Sequence, residues 1–154
     1  KGVVAEFDQD EAVTFEAEVE ATEGRYINCE LIIFADQSEH TYGHTSVIAR
    51  FYSSQFYLMY AHNGGTNSVI NRSVGNVMRK GLLRLAYDPE TAKARVWLDS
   101  RDLGEYTIPK EITEGQFVLF NARYSCKVTS LRVMRGIVPP SAAEKKSEEK
   151  DNEE

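Results

Sequence analysis

Residues 83–99 read Leu83-Arg84-Leu85-Ala86-Tyr87-Asp88-Pro89-Glu90-Thr91-Ala92-Lys93-Ala94-Arg95-Val96-Trp97-Leu98-Asp99, two alternating segments joined by a polar turn. Leu83, Leu85 and Tyr87 share one face, with Arg84 and Ala86 on the other; past the turn, Ala94, Val96 and Leu98 are opposed by Arg95 and Trp97. This is the pattern of a half-buried β-hairpin with its aliphatic residues turned inward. Working outward, Val13, Phe15, Ala17 and Val19 alternate in the same way with Thr14, Glu16, Glu18 and Glu20, which predicts a strand with an acidic, solvated outer face. Tyr26 to Ala35, Ser46 to Tyr52, Gln55 to Ala61, Gln116 to Arg123 and Lys127 to Arg135 add further strands. Ser53-Ser54, His62-Asn63-Gly64-Gly65 and Lys80-Gly81 read as turns between them. Val69-Ile70 and Gly75 to Met78 are weaker strand signals. No stretch combines helical periodicity with an apolar face, so the chain is expected to be all-β, a sandwich or barrel of roughly ten to twelve short strands.

A length of 154 residues with 42% hydrophobic and 10% aromatic content suits one domain with a substantial core. That domain is placed at residues 1–140, ending at Pro139-Pro140. Residues 141–154 hold six acidic and three basic residues, half of the chain's net charge of −6, and no large apolar side chain. They are expected to form a charged, disordered tail or linker. The remainder is mildly acidic without a basic stripe, which argues against nucleic acid as a partner. The longest apolar run, Leu31-Ile32-Ile33-Phe34-Ala35, is far below the roughly 20 residues of a membrane-spanning helix. A start at Lys1, without an initiator methionine or apolar leader, leads to the expectation of a processed protein or of a segment of a longer one. Cys29 and Cys126 are the only cysteines, compatible with one bridge in an oxidising compartment or with two buried thiols.

The order of these segments resembles the concanavalin A-like lectin/glucanase superfamily, and within it the laminin-G-like jelly rolls. Leu83 to Asp99 is similar to that family's hairpin, in which a strand ending Tyr-Asp is followed by a polar turn and a strand ending in an aliphatic residue plus Asp. Asp102-Leu103-Gly104 resembles the small-residue turn that follows, Val128 to Val133 the closing strand, and Phe15 to Val19 the strand beside which it lies. The stretch Asp99-Ser100-Arg101-Asp102 departs from the family's shorter Asp-Gly connection. The resemblance implies a jelly-roll β-sandwich of two antiparallel sheets. It also implies a non-catalytic, extracytoplasmic binding or interaction module for a glycan or a protein partner. The alternatives are a glycoside-hydrolase-like domain of the 3-keto-disaccharide hydrolase type, or a purely structural domain of a larger surface or regulatory protein.

Aromatic side chains that can stack on a sugar, with charged neighbours to orient it, are the first binding candidates. On this basis Trp97, Arg95 and Arg84 on the outer face of the hairpin are singled out, with Tyr57 and Tyr60. Ile48, Arg50 and Tyr52 extend the same surface if their strand joins that sheet. Glu16, Glu18 and Glu20 fall roughly 6.8 Å apart along one strand face, within the range of two-carboxylate hydrolysis. They lie on the first long strand rather than a central one, and no catalytic residue is assigned. His40, His44 and His62 read as exposed loop histidines, and no metal site is nominated. Calcium is the one cofactor considered, through Asp88, Asp99 and Asp102, whose commoner use is to cap their own turns. No nucleophile elbow, phosphate loop or dinucleotide fingerprint occurs.

Overall fold

Period-two alternation builds nearly every element of the computed structural model, which describes residues 3–6, 10–37, 43–122 and 126–140. Among the described residues there are eleven strands: β1 (Val3–Glu6), β2 (Val13–Ala21), β3 (Asn28–Ala35), β4 (Thr45–Tyr52), β5 (Gln55–His62), β6 (Gly65–Ser73), β7 (Lys80–Asp88), β8 (Lys93–Leu98), β9 (Arg101–Thr107), β10 (Phe117–Ala122) and β11 (Cys126–Arg135). One short 3-10 turn spans Lys110–Ile112. The strands form a six-stranded sheet in the order β1-β10-β3-β4-β5-β6 and a five-stranded sheet in the order β11-β2-β7-β8-β9. All pairings are antiparallel. The result is the jelly-roll β-sandwich expected for the chain. The expected tail and His40 lie outside the described residues.

The opening hairpin is β7–β8, with Leu83 opposite Leu98, Leu85 opposite Val96 and Tyr87 opposite Ala94, all in the core between the sheets. Phe15 of β2 joins them from the same sheet; Leu31, Phe51, Phe56 and Phe120 face them from the other. Burying these side chains is the main stabilising term of the fold. Asn63 (φ 52°) and Gly64 (φ 82°) both take positive φ between β5 and β6, as a tight type I′ hairpin requires. Lys80 and Gly81, read from the sequence as a turn, instead open β7. The weak signals at Val69-Ile70 belong to a nine-residue edge strand, β6, whereas residues 75–78 form no strand.

Phe34 has φ 56°, and β3 carries an extra residue there relative to β10. This bulge turns Phe34 inward beside Ile33, where its ring meets Tyr87 edge-on with centroids 5.5 Å apart. The Tyr87 hydroxyl donates to the Ile108 carbonyl at 2.8 Å. Burial, with the charges of Glu111 and Asp88, pushes its phenol from 10 up to about 12. Because the unfolded chain loses this proton first, the contribution to stability is intact below pH 10 and declines between pH 10 and about 12. Tyr87→Phe is therefore expected to flatten part of the alkaline fall in urea midpoint; an unchanged slope would contradict this account.

The outer face of the five-stranded sheet is not bare. Gly136 (φ 83°) turns the chain after β11, and its N–H donates to the Ala12 carbonyl at 2.8 Å. The Thr14 hydroxyl donates to the Gly136 carbonyl at 2.7 Å and accepts from the Val138 N–H at 2.9 Å. Arg84 Nη1 donates to the Val138 carbonyl at 3.1 Å, and Pro140 is buried. Residues 136–140 thus strap the outer face of β2 and β7. The acidic face expected on β2 is only partly solvated. Glu18 and Glu20 are exposed, but Glu16 is buried against Arg84 and Arg132.

Candidate functional site

On β3, β4, β5 and β10 the inward positions are taken by Cys29, Leu31, Ala49, Phe51, Phe56 and Phe120. Strand alternation therefore sends Glu30, Arg50, Tyr57 and Asn121 to the outer face of the six-stranded sheet. Register aligns them in one row: Asn121 opposite Glu30, Glu30 opposite Arg50, and Arg50 opposite Tyr57. Asn28, Tyr52 and Gln55 form the adjacent row.

Glu30, only 4% exposed, is the hub. Its Oε2 accepts from Arg50 Nε at 3.1 Å and Nη2 at 3.0 Å, and its Oε1 accepts from Asn121 Nδ2 at 2.9 Å. A buried carboxylate held by a guanidinium and an amide is fixed in direction, and so are the groups that hold it. Asn28, Cys29, Glu30, Arg50, Tyr52 and Asn121 line a cleft of about 120 Å³ around this cluster. At its rim Tyr52 is 39% exposed. Tyr26 braces it, with ring centroids 5.4 Å apart at 71° and the two hydroxyls 3.2 Å apart. Farther along the sheet the outer face turns apolar, where Ile32, Ile48, Leu119, Ala35 and Ala61 form a second buried cluster.

The sequence-nominated residues do not make one surface. Trp97 does fall on the outer face of the five-stranded sheet, opposite Arg84, but it is 2% exposed and offers no open ring for stacking. The Arg95 guanidinium carbon lies 4.8 Å from the centre of its ring and Arg95 also pairs with Asp102 at 3.1 Å. Arg84 is likewise 2% exposed, committed to Glu16 and the 136–140 strap. Tyr57 sits beside Arg50 on the other sheet, and Tyr60 packs against the core between the sheets. Ile48, Arg50 and Tyr52 belong to the six-stranded sheet, so they do not extend the Trp97 surface. Trp97→Phe is expected to leave affinity for any ligand of the six-stranded sheet unchanged in calorimetric titration; a tenfold loss would place the ligand on the wrong sheet here.

Glu30, Asn28 and Asn121 were missed by sequence reasoning. The available signal was Glu30 itself, an isolated acid within the run Cys29 to Ala35 that is otherwise apolar. The Asp88 and Asp102 carboxylates cap their own turns, accepting from the backbone N–H groups of Glu90 and Gly104 at 2.9 and 2.8 Å, whereas Asp99 accepts across the hairpin from the Leu82 N–H at 2.9 Å. Among the described residues no group of three or more His, Cys, Asp or Glu side chains is arranged to hold a metal ion. His44 bonds to Asp36 through its backbone, and its ring lies 3.4 Å from the same carboxylate; His62 is exposed.

No protein-family model matches the chain, and no curated protein matches it in sequence. Solved structures do match in shape. Carbohydrate-binding module CBM66 from Bacillus subtilis aligns over 80% of this chain and 74% of its own, with 15% identity and a TM-score of 0.60. Sheep galectin-11, in complex with glycerol, aligns over 87% of this chain and 95% of its own, with 11% identity and a TM-score of 0.55. The CBM40 of Ruminococcus gnavus IT-sialidase, bound to α2,3-sialyllactose, covers 87% and 80% at 11% identity and a TM-score of 0.54. At these identities the likeness concerns the backbone arrangement of two stacked antiparallel sheets. The chain shares with these lectins and carbohydrate-binding modules the fold of a jelly-roll β-sandwich.

Proposed function

We propose that this domain is a non-catalytic glycan-binding module whose ligand lies on the outer face of the six-stranded sheet, in the cleft around Glu30 and Arg50. The observation that carries the reading is the row Asn121–Glu30–Arg50 beside the braced, exposed Tyr52. A sugar ring has a rim of hydroxyls, each both donor and acceptor, and flat faces of C–H groups. Fixed donors and acceptors beside an aromatic ring match both features. The folds of CBM66, galectin-11 and CBM40 support the reading by analogy of architecture, and an extracytoplasmic setting is proposed on the same analogy.

Binding rather than hydrolysis is favoured by the lining, whose single carboxylate, Glu30, is already engaged on both oxygens. Glycoside hydrolysis employs a pair of carboxyl groups about 5–9.5 Å apart. A metal-independent mode is proposed, since a hard cation takes about six to eight oxygen ligands. The test is a glycan array probed with the wild-type chain, with and without EDTA, and with Tyr52→Ala. Reproducible, EDTA-insensitive binding that Tyr52→Ala weakens three- to tenfold is expected from loss of one aromatic contact. A silent array would overturn the reading.

A further inference from the structure

We infer that Cys29 and Cys126 form one oxidation site and close to an intramolecular disulfide that ties the six-stranded sheet to the five-stranded one. Cys29 lies on β3, 1% exposed, and Cys126 opens β11 and is half-buried against the same core cluster. The Cys126 sulfur is wedged against the backbone next to its counterpart. It accepts from the Asn28 N–H at 2.8 Å and donates to the Asn28 carbonyl oxygen, the acceptor of the peptide unit leading into Cys29, at 3.4 Å. Both cysteines are free thiols in this structure, and rotation of the Cys126 side chain off the Asn28 backbone is the movement that closure requires.

The two thiols differ in a way that orders the chemistry. Burial, together with the neighbouring Cys126 and Glu30, holds the Cys29 thiol well above its ordinary pKa. Cys126, half-buried where Cys29 is 1% exposed, is the more accessible sulfur and the first to react. With glutathione disulfide as oxidant, the Cys126 thiol gives up its proton and the thiolate attacks one glutathione sulfur. A mixed disulfide forms and one glutathione leaves. Cys29 then loses its proton and attacks the Cys126 sulfur, forming the Cys29–Cys126 bond and expelling the second glutathione. Two electrons and two protons pass from the protein thiols to glutathione disulfide, which departs as two glutathione molecules. Because the bond spans most of the sandwich sequence, it restricts the unfolded chain strongly. Cys29 itself lines the cleft, together with Asn28. The inference is independent of what occupies that cleft.

The test incubates the natively folded, reduced chain with glutathione disulfide and follows intact mass, thiol content after denaturation, and migration on a non-reducing gel. The expected result is loss of both thiols, a mass lower by two hydrogens, monomeric migration, and a urea midpoint higher than that of the reduced chain and reversed by dithiothreitol. Cys29→Ser is expected to stop at the glutathione adduct on Cys126. Two free thiols after prolonged oxidation, an adduct on each cysteine without a bridge, or disulfide-linked dimers would each overturn the inference.

Discussion

Glu16→Ala is expected to lower the free energy of unfolding by about 3–5 kcal/mol, a large share of the stability of a domain this size. Glu16 Oε2 accepts from Arg84 Nε at 2.8 Å and Nη2 at 2.6 Å, and its Oε1 accepts from Arg132 Nε at 2.9 Å. Arg132 is half exposed and its share is screened by solvent. Arg84 is buried, so removing the carboxylate takes the Glu16 counter-charge from a guanidinium in a low-dielectric site, while the Val138 carbonyl still accepts from its Nη1. The cost comes from breaking the pair, not from the pair's intrinsic worth. Glu16→Leu combined with Arg84→Met is accordingly expected to recover most of the loss. Urea unfolding of the variants decides it, and a loss below about 1 kcal/mol for Glu16→Ala would show the pair behaving like an exposed one.

The same cluster sets a pH dependence. Burial alone raises the Glu16 pKa, but hydrogen bonds and charge from Arg132 and Arg84 outweigh it and hold the group below its ordinary 4.5. A depressed folded value means that the stabilisation is complete above pH 4.5 and is lost as pH falls through the folded value. Glu16→Gln should remove that part of the acid transition, leaving a shallower decline on the acid side.

Arg50→Ala is expected to reduce glycan affinity by about a hundredfold, and Arg50→Lys by about tenfold. A hydrogen bond to a charged group contributes about 1.5–3 kcal/mol, and each 1.4 kcal/mol is a factor of ten. Lysine keeps the charge but cannot reproduce the planar fork that engages Glu30. The alanine variant also takes the guanidinium away from the buried Glu30 while the Asn121 amide stays at 2.9 Å, so calorimetric titration must be read beside thermal unfolding. The lysine variant, which retains a cation near Glu30, separates loss of binding from loss of fold. Unchanged affinity in both variants would remove Arg50 from the site.

Which residues of the hairpin face the core was legible from alternation alone: Leu83, Leu85, Tyr87, Ala94, Val96 and Leu98 all do. Alternation assigns side chains to a sheet face, but it carries no information on what later covers that face. Trp97 and Glu16 illustrate the limit. Both were placed correctly on the outer side of the five-stranded sheet, yet both are buried there. For Glu16 the cover comes from Arg84 and Arg132, which lie 68 and 116 residues away.

The candidate site was hidden for a related reason. Arg50 and Tyr52 stood out as charged and aromatic positions on one strand, but the sheet that strand joins is decided by long-range pairing. Asn121 reaches Glu30 across 91 residues, and nothing local to either residue announces that meeting. Only the register of β10 on β3 brings the amide, the carboxylate and the guanidinium into a row.

The most direct test of the account is an amide NMR titration of the isotopically labelled chain with a glycan selected on the array. The account predicts that the resonances of Asn28, Glu30, Arg50, Tyr52 and Asn121 shift saturably while those of Arg84, Arg95 and Trp97 stay in place. Shifts confined to the Trp97 side of the sandwich, with the Glu30 row unmoved, would contradict it.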